Sequence, residues 1–319
     1  MITTLPVTRS FPRAIPFELF QNILQELPQR ELLKLCTISH TLHAEVVREL
    51  YRHVDLVNSS NEQLVSLTSL LIAQPNLARL IRALSLPDKL TYEHQEVDDE
   101  WLDRLDEQLP RALKSMDNLA ALFIEPLPLK QSPQYSFRGV RAVEYLSGDY
   151  FLGCPFRLRT FRHAVPAQWV GRTLLPFLYE QNQISDLATR YNHDFTLLPE
   201  IPSSAPALLP ELSIVSTCYE TPNLFNMVAS RPIKRLRLVM PMEQAGGIHA
   251  DIAKGIKQLS LASATLTHFY YVHWIPFSGA EEAPHVETLE IIVKGLPNLK
   301  FLRYSDPLVL DVGLFSRCY

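Results

Sequence analysis

One six-residue pattern returns eight times along this chain and limits what it can fold into. An apolar residue is followed by two free positions, a second apolar residue, one free position and a third residue that is apolar in most copies. The copies are Ile81/Leu84/Leu86, Leu119/Leu122/Ile124, Leu158/Phe161/His163, Ile184/Leu187/Thr189, Leu209/Leu212/Ile214, Ile233/Leu236/Leu238, Leu266/Phe269/Tyr271 and Leu299/Leu302/Tyr304. Residues two apart point to the same side of a strand, so the last two members define one buried strand face while the first anchors the incoming turn beneath it. Successive copies start 38, 39, 26, 25, 24, 33 and 33 residues apart, and helical stripes lie between them: Leu64, Leu67, Leu71 before Pro75, then Trp101, Leu102, Leu105, Leu109, Leu113 before Met116. The segments Gln74-Pro75-Asn76-Leu77, Met116-Asp117-Asn118-Leu119 and Leu296-Pro297-Asn298-Leu299 mark the exits from helix toward the next strand. Units of this kind cannot bury their apolar faces alone and must stack on their neighbours. The expected fold class is α/β with parallel strands.

The pattern and its spacing resemble a degenerate leucine-rich repeat, whose period is roughly 20 to 29 residues. That resemblance implies an irregular solenoid over residues 56–319, with the strands lining the inner face of a curved stack. The chain departs from the family eight residues past each start, where an Asn or Cys is customary. Asn192 alone fits, and Pro166, Pro241 and Pro307 fill the position in three copies. A two-layer α/β domain that is not a solenoid is the alternative.

Bulk properties narrow the setting. At 319 residues the chain is long enough for about two domains and a substantial core, and 47% hydrophobic with 20% charged residues is a globular composition. Thirty basic against 34 acidic residues give a net charge of -4, so no whole-chain field attracts nucleic acid or anionic lipid, and neither is expected as a partner. The opening residues Met1 to Val7 lack a basic stretch followed by an apolar one, and no run of about 18 apolar residues occurs. Cys36, Cys154, Cys218 and Cys318 are too scattered for a metal knuckle or a disulfide framework. These features predict a cytoplasmic or nuclear protein, in which Asn58-Ser59-Ser60 is a chance glycosylation match.

Residues 12–55 read as a separate helical unit. Leu19, Ile23, Leu24 and Leu27 form one stripe that Pro28 ends; Leu32, Leu33, Leu35, Cys36 and Ile38 make a second helix apolar on more than one face; Leu42, Val46, Val47 and Leu50 mark a third. Three short helices cannot shield so many apolar side chains by themselves. The string Ile15-Pro16-Phe17-Glu18-Leu19, then Ile23-Leu24, Leu27-Pro28, Leu32-Leu33, Leu35-Cys36, Ile38-Ser39-His40 and Leu42 resembles an F-box, and the ending Leu50-Tyr51-Arg52-His53-Val54 is similar to that of fungal members. Ile15 replaces the usual leucine, His40 stands where a basic residue often follows the serine, and Tyr51 is near the customary closing Trp. The resemblance implies that Pro16, Leu19, Ile23, Leu24, Leu32, Leu33 and Leu35 lie on or support a surface that docks a Skp-type adaptor, which links to a cullin ligase core. The alternative is an N-terminal cap packed on the rest of the chain.

Catalytic constellations are hard to find. Gly148 and Gly153 have phosphate-loop spacing, but Cys154 and Pro155 stand where Lys and Ser or Thr are needed, and no glycine precedes Gly139. Cys36, His40 and His43 at i, i+4 and i+7 imitate three ligands on a helix face, yet Cys36 sits in an apolar stripe where a thiol acts as a small hydrophobe. The acidic cluster around Asp98, Asp99 and Glu100 reads as a solvated helix start favoured by the macrodipole. No catalytic, cofactor-binding or metal-binding residue is assigned. Arg162, Arg190, Arg235, Arg237 and Arg303, with Phe123, His268 and Tyr270, alternate away from the apolar positions and are expected on the open sheet face. Guanidinium forks there suit an acidic or phosphorylated peptide; a merely hydrated face is the alternative. The expected function is a substrate receptor of an SCF-type ubiquitin ligase that presents an unknown protein target and is not itself an enzyme. A repeat scaffold without ubiquitin transfer is the second reading.

Overall fold

Nine strands form one all-parallel sheet, in an order that follows the chain. They are β1 (His53–Asp55), β2 (Ala83–Pro87), β4 (Ala121–Glu125), β6 (Thr160–His163), β7 (Asp186–Thr189), β8 (Ile214–Cys218), β9 (Arg235–Met240), β10 (His268–His273) and β11 (Phe301–Ser305). Two further strands, β3 (Leu90–Glu93) and β5 (Val140–Val143), pair with each other antiparallel. The computed structural model describes residues 16–87, 90–93, 99–125, 140–143, 148–163, 175–189, 209–218, 231–240, 259, 264–273 and 283–305.

The register explains the recurring pattern. The middle members line up across the whole sheet as Val54, Leu84, Leu122, Phe161, Leu187, Val215, Leu236, Phe269 and Leu302. Those from Leu84 to Phe269 are buried, as are the turn anchors Ile81, Leu119, Leu158, Ile184, Leu212, Ile233 and Leu266. One copy differs from expectation: the fifth is Leu212/Val215/Thr217, three residues later than Leu209/Leu212/Ile214. Leu209 takes a left-handed backbone (φ 54°) and its carbonyl accepts the N–H of Leu212 at 3.2 Å, so it belongs to the preceding turn, although its side chain is buried. Ile214 lies on the opposite face, in register with Asp186 and Arg235.

A backbone ladder joins the strands just before they begin. The Arg52 carbonyl accepts the Arg82 N–H at 2.9 Å. From there each junction carbonyl, at Arg82, Ala120, Arg159, Ser185, Ser213, Lys234 and Thr267, accepts two consecutive N–H groups of the next junction at 2.7 to 3.1 Å. Side chains reinforce it: Ser185 Oγ donates to Arg159 O at 3.3 Å, Ser213 Oγ to Ser185 O at 3.2 Å and Thr267 Oγ1 to Lys234 O at 3.1 Å. In the second of the Asn-Leu exits, Asn118 Nδ2 donates to the Arg79 carbonyl at 2.8 Å. Backbone groups that a short connection would leave unsatisfied are thereby paired from one unit to the next.

The helices bury their stripes against the Leu84 side of the sheet. Helix α4 (Asn61–Ala73) starts in a capping box between Ser60 and Gln63, α5 (Pro75–Ala78) has Pro at its first position, and α6 (Asp99–Lys114) follows. Leu64, Leu71, Leu105, Leu109 and Leu113 join Leu84, Leu86 and Leu122 in one core, while Gln108 Oε1 accepts the hydroxyls of Thr68 and Ser69 at 3.1 and 2.8 Å. Trp101 and Leu102 fall on side chains outside the described residues. Farther on, α7 (Leu175–Glu180) and α8 (Ala283–Gly295) precede β7 and β11. Gly148–Phe151 is a 3-10 turn, and Gly153 after it is left-handed (φ 68°), its N–H donating to Glu180 Oε2 at 3.1 Å.

Gln181 ties α7 to the segment that leads into β6. It is fully buried, its Oε1 accepts the Leu158 N–H at 2.8 Å and its Nε2 donates to the Phe156 carbonyl at 3.3 Å. Gln181→Leu strands the buried Leu158 N–H and leaves the Phe156 carbonyl to the Arg157 guanidinium, which reaches it at 3.1 Å; it is expected to cost about 2 kcal/mol in urea unfolding, and a loss under about 0.5 kcal/mol would show that the clamp is dispensable.

Candidate functional site

Two surfaces carry the residues singled out by the sequence. The first is made by three helices: α1 (Phe17–Glu26), α2 (Gln29–Leu35) and α3 (His40–Arg52). Leu27, held extended before Pro28, breaks α1 from α2, and the Ser39 hydroxyl accepts the Leu42 N–H at 3.1 Å to cap α3. Leu24, Leu32 and Val46 form a small core of their own, with Phe20, Leu27, Leu35, Cys36 and Leu50 packed against it. The continuation of α3 belongs to the main core, where Tyr51 and then Val54 of β1 pack. Helix α3 therefore touches both cores and passes into β1 with no residue between them. His53–Asp55, which the sequence places with the helical unit, is the first strand of the sheet.

This unit leaves much of its apolar surface uncovered: Leu19 is 54% exposed, Ile23 48%, Leu33 56% and Ile38 63%. Exposed apolar side chains this large are otherwise few among the described residues: Tyr179, Val293 and Phe301. Of the seven adaptor positions read from the sequence, Pro16, Leu19, Ile23 and Leu33 are exposed, Leu35 is half-buried, and Leu24 and Leu32 are buried in the small core. The last two support the surface rather than form it.

Cys36, His40 and His43, whose spacing imitates a ligand set in the sequence, do not share a helix face. Helix α2 ends at Leu35 and α3 begins at His40, and the His43 ring nitrogen Nδ1 instead meets the Cys36 carbonyl at 3.2 Å. Among the described residues no three His, Cys, Asp or Glu side chains are placed to hold a metal ion, and no helix is long and apolar enough to cross a membrane.

The second surface is the sheet face opposite the Leu84 ladder. Two rows run across it in register: His53, Ala83, Ala121, Thr160, Asp186, Ile214, Arg235, His268, Phe301, and beside them Asp55, Ser85, Phe123, Arg162, Ala188, Ser216, Arg237, Tyr270, Arg303. Arg162, Arg235, Arg237, Arg303, Phe123, His268 and Tyr270 therefore lie on one face, as their alternation predicts. Arg190 lies outside the described residues.

The two halves of that face differ chemically. Arg162 Nη2 pairs with Asp186 Oδ2 at 2.9 Å, and the guanidinium carbon sits 5.6 Å from the centroid of the Phe123 ring, which His53 approaches at 6.2 Å. Toward the other end Arg235 and Arg303 are exposed and make no ion pair among the described residues. Phe301, which the sequence reading passed over, lies beside Arg303 on β11, its ring centroid 5.3 Å from Tyr270 and 5.9 Å from His268. Its place in the second free position of the last copy, next to Leu302, is the signal that locates it.

Behind the sheet, His163 fills an inward position between Ile124 and Thr189. It is buried, stacks on Phe161 at 5.0 Å, and neither ring nitrogen has a hydrogen-bond partner among the described residues. Burial holds its pKa down to about 4. Buried Cys154 is pushed up to about 11 by desolvation, which leaves it an unreactive thiol. No family model matches the chain, and no curated protein matches it in sequence.

Proposed function

We propose that this chain is a substrate receptor of an SCF-type ubiquitin ligase, with α1 to α3 as an F-box that docks a Skp-type adaptor and the sheet region as a leucine-rich-repeat-like solenoid that presents a protein target. The observation that carries the reading is the exposed apolar quartet Leu19, Ile23, Leu33 and Ile38 on a unit that already has its own small core. Such a patch on a small helical unit marks a protein-binding surface. A cap folded onto the chain would instead have covered these side chains. The repeat part of the reading is supported by strands that follow the chain one by one, by the junction ladder, and by a single continuous core on one face. The receptor makes and breaks no bonds; it raises the local concentration of a target near the ligase machinery in the cytosol or nucleus.

The test is co-expression of the full chain with the adaptor. Ile23→Arg/Leu33→Arg is expected to weaken capture by at least about 100-fold, because two apolar anchors become charges in a desolvated interface. Both side chains are exposed, so the melting curve should not move. Leu32→Arg is the wrong probe, since it would break the small core itself. Undiminished capture by the double variant overturns the docking reading.

A further inference from the structure

We infer that the target segment is an extended anionic peptide held across β9, β10 and β11, its carboxylate or phosphate oxygens on Arg235 and Arg303 and its apolar side chains against Tyr270 and Phe301; the name target rests on the receptor reading, the binding itself does not. The open-face positions of these strands, Arg235, His268 and Phe301 in one row, Arg237, Tyr270 and Arg303 in the next and Val239, Val272 and Ser305 in the third, contain three arginines and no acid. On the other six strands the first two rows hold a single arginine, Arg162, already paired with Asp186 at 2.9 Å, together with Asp55. In a chain of net charge -4 this is a local reversal of sign, and it selects an anion. Arg235 and Arg303 are two strands and two residues apart, about 12 Å, which about four residues of extended peptide span. Tyr270 on the strand between them, and Phe301, 43% exposed beside Arg303, give the alternate side chains an apolar seat.

Fluorescence anisotropy on the full chain decides it, using a short labelled peptide of alternating Glu with Ser and Tyr, its Gln counterpart, and a version with phosphoserine in place of Glu. The Glu peptide should bind at least about tenfold more tightly than the Gln peptide, with an affinity that falls as salt rises. Arg235→Glu/Arg303→Glu should lose about tenfold or more, whereas Arg111→Glu/Lys294→Glu, an equal charge change on the helices, should stay within about twofold. If the first double variant does not fold, Arg235→Gln/Arg303→Gln should show the same ranking with a smaller loss and an unchanged melting curve. Tighter binding of the phosphoserine peptide names phosphate as the source of the oxygens, and equal or weaker binding names carboxylate. Equal affinity for the Glu and Gln peptides, or equal loss in the two charge-reversed variants, overturns the inference. Adaptor capture by the same protein separates the two readings: capture without peptide binding sinks this inference alone, and peptide binding without capture sinks the receptor reading alone.

Discussion

Phe161→Ala is expected to remove about 3 to 5 kcal/mol of stability, a large share of what a folded domain has. Phe161 is buried in the middle ladder between Leu122 and Leu187, meets the Phe177 ring edge-on at 5.3 Å and stacks on His163 at 5.0 Å; Phe177 in turn meets Phe151 at 5.6 Å. Truncation leaves a cavity beneath the sheet that rigid neighbours cannot close. Urea unfolding should show a lower midpoint with an unchanged slope. The informative comparison is Phe301→Ala, the same residue type on the opposite face, which should cost less than about 1 kcal/mol. A one-residue slip in register would exchange the two results, because it moves every side chain to the other face. Equal losses would contradict the two-faced sheet.

His163→Leu is expected to abolish a pH dependence. The folded protein holds this imidazole neutral down to about pH 4, whereas the unfolded chain protonates it near 6.5. Between those values the unfolded state binds a proton that the folded state does not, so stability is full above about pH 6.5 and falls as the pH is lowered toward 4. The whole effect is about 3 kcal/mol, and between pH 7.5 and 5 it amounts to about 2 kcal/mol. Other groups, such as Asp106, whose pKa burial and the nearby Asp103 carboxylate raise, add their own slopes, so the quantity to compare is the difference between the two proteins. His163→Leu should lose that much less stability on acidification and, with its unpartnered ring removed, be at least as stable at neutral pH. Parallel pH profiles for the two proteins would refute the assignment.

Much of the sheet was legible because each strand has one buried face, and the alternation of Leu84 with Ser85 or of Leu236 with Arg237 records it directly. His163 was placed in an inward slot by the same alternation, against its polar character. The fifth copy slipped by three residues because Leu209 and Leu212 are both apolar and both buried, while Thr217 fills the slot where an apolar residue was expected. Strands β1, β3 and β5 were missed: Tyr51, Val54 and Leu56 repeat the spacing at β1 but the segment was read as the end of the helical unit, and β3 and β5 lie outside the recurring pattern. The junction ladder could not be read at all, since backbone groups make most of it and any residue supplies them. Among the N-terminal helices, spacing identified which residues are apolar but not which are covered. Leu32 and Leu33 are neighbours in sequence, yet one closes the small core and the other faces solvent.

The unbroken passage of α3 into β1 has a mechanical consequence. A subunit clamped to the first helices also fixes the direction of the sheet, because no hinge residue separates them. Eight interstrand steps of about 4.8 Å then place β11 roughly 38 Å along the sheet from β1. A ligand seated on the last three strands is thus carried at the far end of a stiff ruler. Shortening that ruler by one unit would draw the cargo inward by a single step and leave the grip at either end as it was.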